Sequence, residues 1–107
     1  ITRKGELHLG GRNGHSPLAV PGLAGTDLFR VVTVPDIGPI KHTKLMYNAA
    51  ISPIAAAAGI DNGKLLAVPV ARRLFFALLH ENHRVLTAAG VELGKVGPFH
   101  PSTVAAI

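Results

Sequence analysis

The 107-residue sequence contains no cysteine and no tryptophan. The first absence excludes disulfide frameworks, thiolate metal sites and cysteine nucleophiles, and leaves a reducing cytoplasm as the default compartment. Aromatic residues are scarce, four Phe and one Tyr, so the stacking platforms that usually accompany nucleic-acid binding are lacking. Charged residues make up only 16% against 48% apolar, a balance that excludes a disordered tail and fits a small globular unit. The longest stretch without charge or a large polar group, Ala49 to Ile60, is 12 residues and carries Ser52, Pro53 and Gly59, whereas a membrane span needs about 20. No membrane segment is expected. No apolar run near the start has the basic flank and cleavage site of a signal peptide, and a first residue of Ile1 reads as a processed or partial chain.

What charge there is leans positive: 11 Lys and Arg against 6 Asp and Glu, a formal +5. The cations are scattered, with Arg3 beside Lys4 and Arg72 beside Arg73 the adjacent pairs, so no basic arm exists and no nucleic-acid partner is expected. A site for a phosphorylated cofactor or a small carboxylate uses such a field more economically.

Residues 1–38 and 39–107 read differently. In the first part, Glu6-Leu7-His8-Leu9 alternates as a half-buried strand does, and Phe29 to Val34 is a β-branched run that stops at Pro35. The cluster Gly10-Gly11-Arg12-Asn13-Gly14 reads as a hairpin loop, and Leu18 to Ala24 as a short helix. Beyond Gly38-Pro39 the composition shifts to helix formers. A first helix is predicted from about Ile40 to Ile51, broken at Ser52-Pro53, with Ser52 capping a second segment that Gly59 closes. Asp61-Asn62-Gly63 reads as a turn, and Pro69 as the first position of a 21-residue helix ending at Ala89 with Gly90 beyond it, a length of about 31 Å. Two apolar stripes run along that helix, Leu74, Leu78, Val85 and Ala88 beside Phe75, Leu79, Leu86 and Ala89. Arg73, His80, His83 and Thr87 make the wet side, and Glu81 and Asn82 interrupt the stripes.

Lys44, Asn48 and Ser52 follow i, i+4, i+8 spacing, which lines a cation, an amide and a hydroxyl along one helical face over about 12 Å. Such a row can grip an oxygen-rich substrate, and a lysine can donate to a carbonyl oxygen as negative charge develops there. The same row can also be a solvated helix face with Ser52 merely a cap. His80-Glu81-Asn82-His83 spaces its histidines three apart rather than four, so it is not a zincin helix and no metal is expected; Glu81 can face the active cleft or, more naturally, pair with a cation such as Arg84 or Arg73.

The segment Lys44-Leu45-Met46-Tyr47-Asn48-Ala49-Ala50-Ile51-Ser52-Pro53, followed by Gly59, Asn62-Gly63-Lys64-Leu65-Leu66 and Glu81 through Ala89-Gly90-Val91, resembles the start of the helical domain of the 2-dehydropantoate 2-reductase (ketopantoate reductase) family. Gly5 to Gly10 and Val34-Pro35-Asp36-Ile37 are similar to the end of that family's nucleotide-binding domain. The resemblance implies an α/β parent of which this chain is mostly α: residues 1–38 the tail of a Rossmann domain, residues 39–107 the first helices of a substrate domain.

It further implies a cytoplasmic, NADPH-dependent reductase of a small 2-oxo acid. Lys44 would donate to the ketone oxygen as the catalytic residue, Asn48 would position the substrate, and Ser52 would stand where the family usually has a second asparagine. His42 occupies a position that is often aromatic. The G-x-G-x-x-G fingerprint of the family is absent, and its later serine and glutamate lie beyond Ile107, so the chain reads as the middle of a larger enzyme that alone neither binds NADPH well nor turns over. Two other readings stay open: a non-catalytic helical interaction module, for which the broad stripe would serve a homodimer, and a related dehydrogenase with a different 2-oxo or hydroxy acid.

Overall fold

The computed structural model describes residues 5–12, 29–98 and 100–106. It divides into two compact units, Ile1–Gly38 and Pro39–Ile107. The chain is mostly helical, with a short two-stranded parallel sheet at its N-terminal end.

The first unit contains strands β1 (Gly5–Gly10) and β2 (Phe29–Val34), at the positions their alternation and β-branched content predict. Their pairing overturns the hairpin expectation. The strands run parallel, with Glu6 opposite Arg30 and Gly10 opposite Val34, and a parallel pair requires a crossover connection rather than a tight turn. Gly11 and Arg12 therefore do not close a tight turn onto β2. The short helix expected at Leu18 to Ala24 lies outside the described residues. Beyond β2, the Ile37 N–H donates to Gly11 O at 3.0 Å, and Asp36 Oδ1 accepts the Gly38 N–H at 2.9 Å where the first helix begins.

The second unit is built on helices α1 (Gly38–Ala58), α2 (Asn62–Leu65), α3 (Pro69–Ala88) and α4 (Pro101–Ala105). Helix α1 is continuous through Pro53, so the expected break does not occur and Ser52 sits inside the helix rather than capping a new one. The reason is the buried face: Met46, Ala50 and Ile54 recur every four residues across the proline, and one unbroken helix puts all three into the core. Gly59 follows with φ 66°, and the Ile60 N–H reaches back to Ala55 O at 3.2 Å, closing the helix as its glycine predicts.

Asp61 belongs to a cap rather than a free turn: its Oδ1 accepts the Lys64 N–H at 2.9 Å and starts α2, which drives Leu65 into the core. Pro69 opens α3 as expected. The end of α3 is a Schellman closure around Gly90, φ 73°, with the Gly90 N–H on Thr87 O and the Val91 N–H on Leu86 O.

Met46, Ala50, Ile54, Leu65, Phe75 and Leu79 form the core, with Ile51, Phe76, Leu78, Leu86, Leu93 and Val104 packed around it. Of the two stripes on α3, the one through Phe75 and Leu79 is buried, whereas Leu74 and Val85 face solvent. His80 and His83 are half-buried, which corrects their place on a wholly wet side; Arg73 and Thr87 are exposed. Helix α4 has no counterpart among the sequence expectations; His100 starts it, Nδ1 accepting the Ser102 N–H at 3.2 Å while Nε2 donates to Leu93 O.

A second set of bonds ties the start of α1 to the segment after α3. The Gly94 N–H donates to Pro39 O at 3.0 Å, and the buried Thr43 hydroxyl lies 2.7 Å from Gly94 O and 3.1 Å from Pro39 O. A hydroxyl carries one proton, so the shorter contact to Gly94 is its donated bond. His42 Nδ1 donates to Glu92 O at 3.1 Å, giving that side chain a packing role at the same seam.

Candidate functional site

Because α1 runs unbroken through Pro53, Lys44, Asn48 and Ser52 lie on one face of a single helix, and all three are exposed. At 1.5 Å per residue the row spans about 12 Å. Among the described residues, no hydrogen bond or ion pair is formed by the Lys44 ammonium, the Asn48 amide or the Ser52 hydroxyl. Lys41, one turn before Lys44, is exposed too and adds a second positive charge. The face therefore offers donors to an anionic or carbonyl-bearing ligand, with the strongest positive character at its N-terminal half.

Each of the first two polar residues is followed in the chain by an apolar neighbour, Leu45 after Lys44 and Ala49 after Asn48. These two line a concavity of about 200 Å³ between α1 and α3, completed by Met46, Asn82, Val85 and Leu86. Leu45 is 55% exposed and Val85 57%, so the walls are open. The groove is thus an apolar trough beside a polar ridge, with one amide, that of Asn82, in its lining. Asn82 Nδ2 donates to Met46 O at 3.0 Å. Burial pushes the Tyr47 hydroxyl, one residue before Asn48, above its ordinary pKa.

Glu81 stays out of this arrangement. Its Oε2 lies 3.6 Å from Arg84 Nη1 on the exposed side of α3, one of the two pairings its position suggests. Asn82, whose only sequence signal is that it interrupts an apolar stripe, is the residue of α3 whose side chain hydrogen-bonds to α1.

No glycine-rich turn leads from a strand into a helix N-terminus among the described residues. The link from β2 to α1, Pro35 to Ile37, contains no glycine, and Gly38 is already the first residue of the helix, so these residues do not form a pyrophosphate cradle. No helix among them is long and apolar enough to cross a membrane.

The class is an oxidoreductase family: residues 36–104 match the family described as Ketopantoate reductase PanE/ApbA C terminal, and the chain belongs to it. A 2-dehydropantoate 2-reductase of Pyrobaculum aerophilum is 39% identical over 66 residues, which cover 62% of this chain and 24% of that protein. The chain therefore spans about a quarter of the length of this curated relative. No solved structure matches it significantly.

Proposed function

We propose that this chain forms part of an NADPH-dependent reductase of a small 2-oxo acid of the ketopantoate type. Residues 1–38 would supply the tail of the nucleotide-binding domain, and residues 39–107 the first helices of the substrate domain. The observation that carries this reading is the row of Lys44, Asn48 and Ser52, exposed on one face of α1 and unengaged among the described residues. When bound, NADPH supplies the hydride. As the ketone carbon is reduced, charge develops on its oxygen, and a fixed ammonium there stabilises the oxygen and delivers the proton. Lys44 has that role. Asn48 holds the substrate by its amide, and Ser52 makes a shorter contact through its hydroxyl.

The test follows NADPH absorbance in the intact protein that carries this chain, with ketopantoate and a panel of other 2-oxo acids, against its Lys44→Ala variant. Turnover should fall by about 10²-fold or more in the variant, with an unchanged melting temperature because Lys44 is exposed. No turnover of any 2-oxo acid, or activity indifferent to Lys44, would falsify the reading.

One observation favours a second reading, a helical interaction module: Val70, Leu74 and Val85 leave apolar surface exposed along α3. A homodimer formed there would dissociate on Leu74→Glu, as sedimentation would report, while turnover in a reductase need not change.

A further inference from the structure

Helices α1 and α3 meet chiefly through apolar side chains, with Met46, Ala50 and Ile54 from one and Phe75, Leu79 and Leu86 from the other. Contacts of that kind fix distance well and rotation poorly, since dispersion has no preferred direction. Among the described residues, one side-chain hydrogen bond joins the two helices: Asn82 Nδ2 to Met46 O at 3.0 Å. Its position is specific. Met46 is fully buried and lies midway between Lys44 and Asn48 in the chain. The helix loses a rung immediately after this turn, because Pro53 has no N–H to give Ala49 O. The site-bearing turn is therefore weakened on its C-terminal side and held from α3 on the other. The other residues that line the groove around Asn82, Leu45, Met46, Ala49, Val85 and Leu86, are apolar, so few competing groups weaken the bond.

We infer that Asn82 is a positioning residue for the substrate face of α1. By holding the Met46 carbonyl it sets the rotation at which Lys44 and Asn48 meet the substrate. The inference rests on the reductase reading of that face. Displacement of a reacting group by an ångström costs large factors in rate, so a clamp that touches no substrate can still govern turnover.

Asn82→Asp tests this with little change of shape. The ionised carboxylate only accepts, and it faces another acceptor, Met46 O; the protonated carboxyl has an O–H that donates again. In the intact enzyme at neutral pH, kcat/KM for the 2-oxo acid is expected to fall about tenfold, with KM for NADPH unchanged. The ratio of variant to wild-type activity should climb as pH is lowered and the carboxyl protonates. Asn82→Leu, which lacks a donor at every pH, should show the loss without the climb, and melting temperatures confirm that folded protein is compared.

If Asn82→Asp fails to fold at neutral pH, Asn82→Leu carries the test: wild-type kcat/KM in that variant overturns the inference. Equal kcat/KM for wild type and both variants, or a loss in the Asp variant with no pH dependence, also overturns the positioning role and leaves the reductase reading intact. A parent protein that turns over no 2-oxo acid, or is indifferent to Lys44→Ala, overturns both.

Discussion

The Thr43 hydroxyl donates to the Gly94 carbonyl at 2.7 Å across 51 residues of chain, and Thr43 is fully buried. Around that bond the Gly94 N–H returns to Pro39 O, so a single residue of the segment after α3 is gripped through both its N–H and its C=O by the first turns of α1.

Two substitutions measure this seam. Thr43→Val keeps the shape but strands Gly94 O, and should cost about 1–3 kcal/mol in urea unfolding; Thr43→Ser keeps the donor and should cost less. Gly94→Ala places a Cβ 3.2 Å from Ile40 N and from the Pro39 carbonyl carbon. Backbone atoms cannot swing aside, so the loss should again be about 1–3 kcal/mol. A wild-type midpoint in Thr43→Val and Gly94→Ala would show that the seam contributes nothing.

The two stripes of α3 should respond unequally. Leu79 is 0% exposed, so Leu79→Ala should destabilise by about 2–5 kcal/mol through lost burial and the cavity left behind. Val85→Ala, on the exposed stripe, should stay within about 0.5 kcal/mol. Comparable losses at both sites would mean that the exposed stripe is covered in solution.

Tyr47 is the single tyrosine of the chain, so its ionisation can be followed by ultraviolet absorbance without interference. Burial raises its pKa above the ordinary 10.0 because the charged phenolate is disfavoured in the half-buried site. With the folded value above the unfolded one, the stability that the neutral phenol contributes is complete below pH 10 and is lost as pH rises through the folded-state pKa. A titration midpoint at or below that of a free tyrosine would contradict the burial.

Local signals were legible in the sequence. The β-branched run marked β2 to the residue, Phe29–Val34, and Pro69 and Gly90 marked the start and stop of α3. The ridge of Lys44, Asn48 and Ser52 could be read because i, i+4, i+8 is the geometry of one helix and depends on no partner. Other features depended on distant contacts. The glycines after β1 look the same whether the next strand returns antiparallel or crosses over, so the parallel pairing had no local mark.

Pro53 reads locally as a break because a proline inside a helix costs about 3 kcal/mol. The burial of Met46, Ala50 and Ile54 on one continuous face outweighs it, and only the core reveals that. Two equivalent stripes on α3 were visible, but which of them is covered depends on where α1 lies. Asn82 bonds a main-chain carbonyl 36 residues away, and a carbonyl is carried by every residue, so no pattern could single that partner out.

The clasp at Pro39 and Gly94 gives the helical unit a further property. The strand of chain that enters α1 and the strand that leaves after α3 adjoin, one hydrogen bond apart, so the α1–α3 hairpin starts and finishes at the same point in space. A segment with adjacent ends can be spliced into a host loop or closed on itself by a short linker without being stretched. The cut sites for such a graft are set by the structure: just before Pro39 and just after Gly94, where the clasp itself would hold the transplanted helices together.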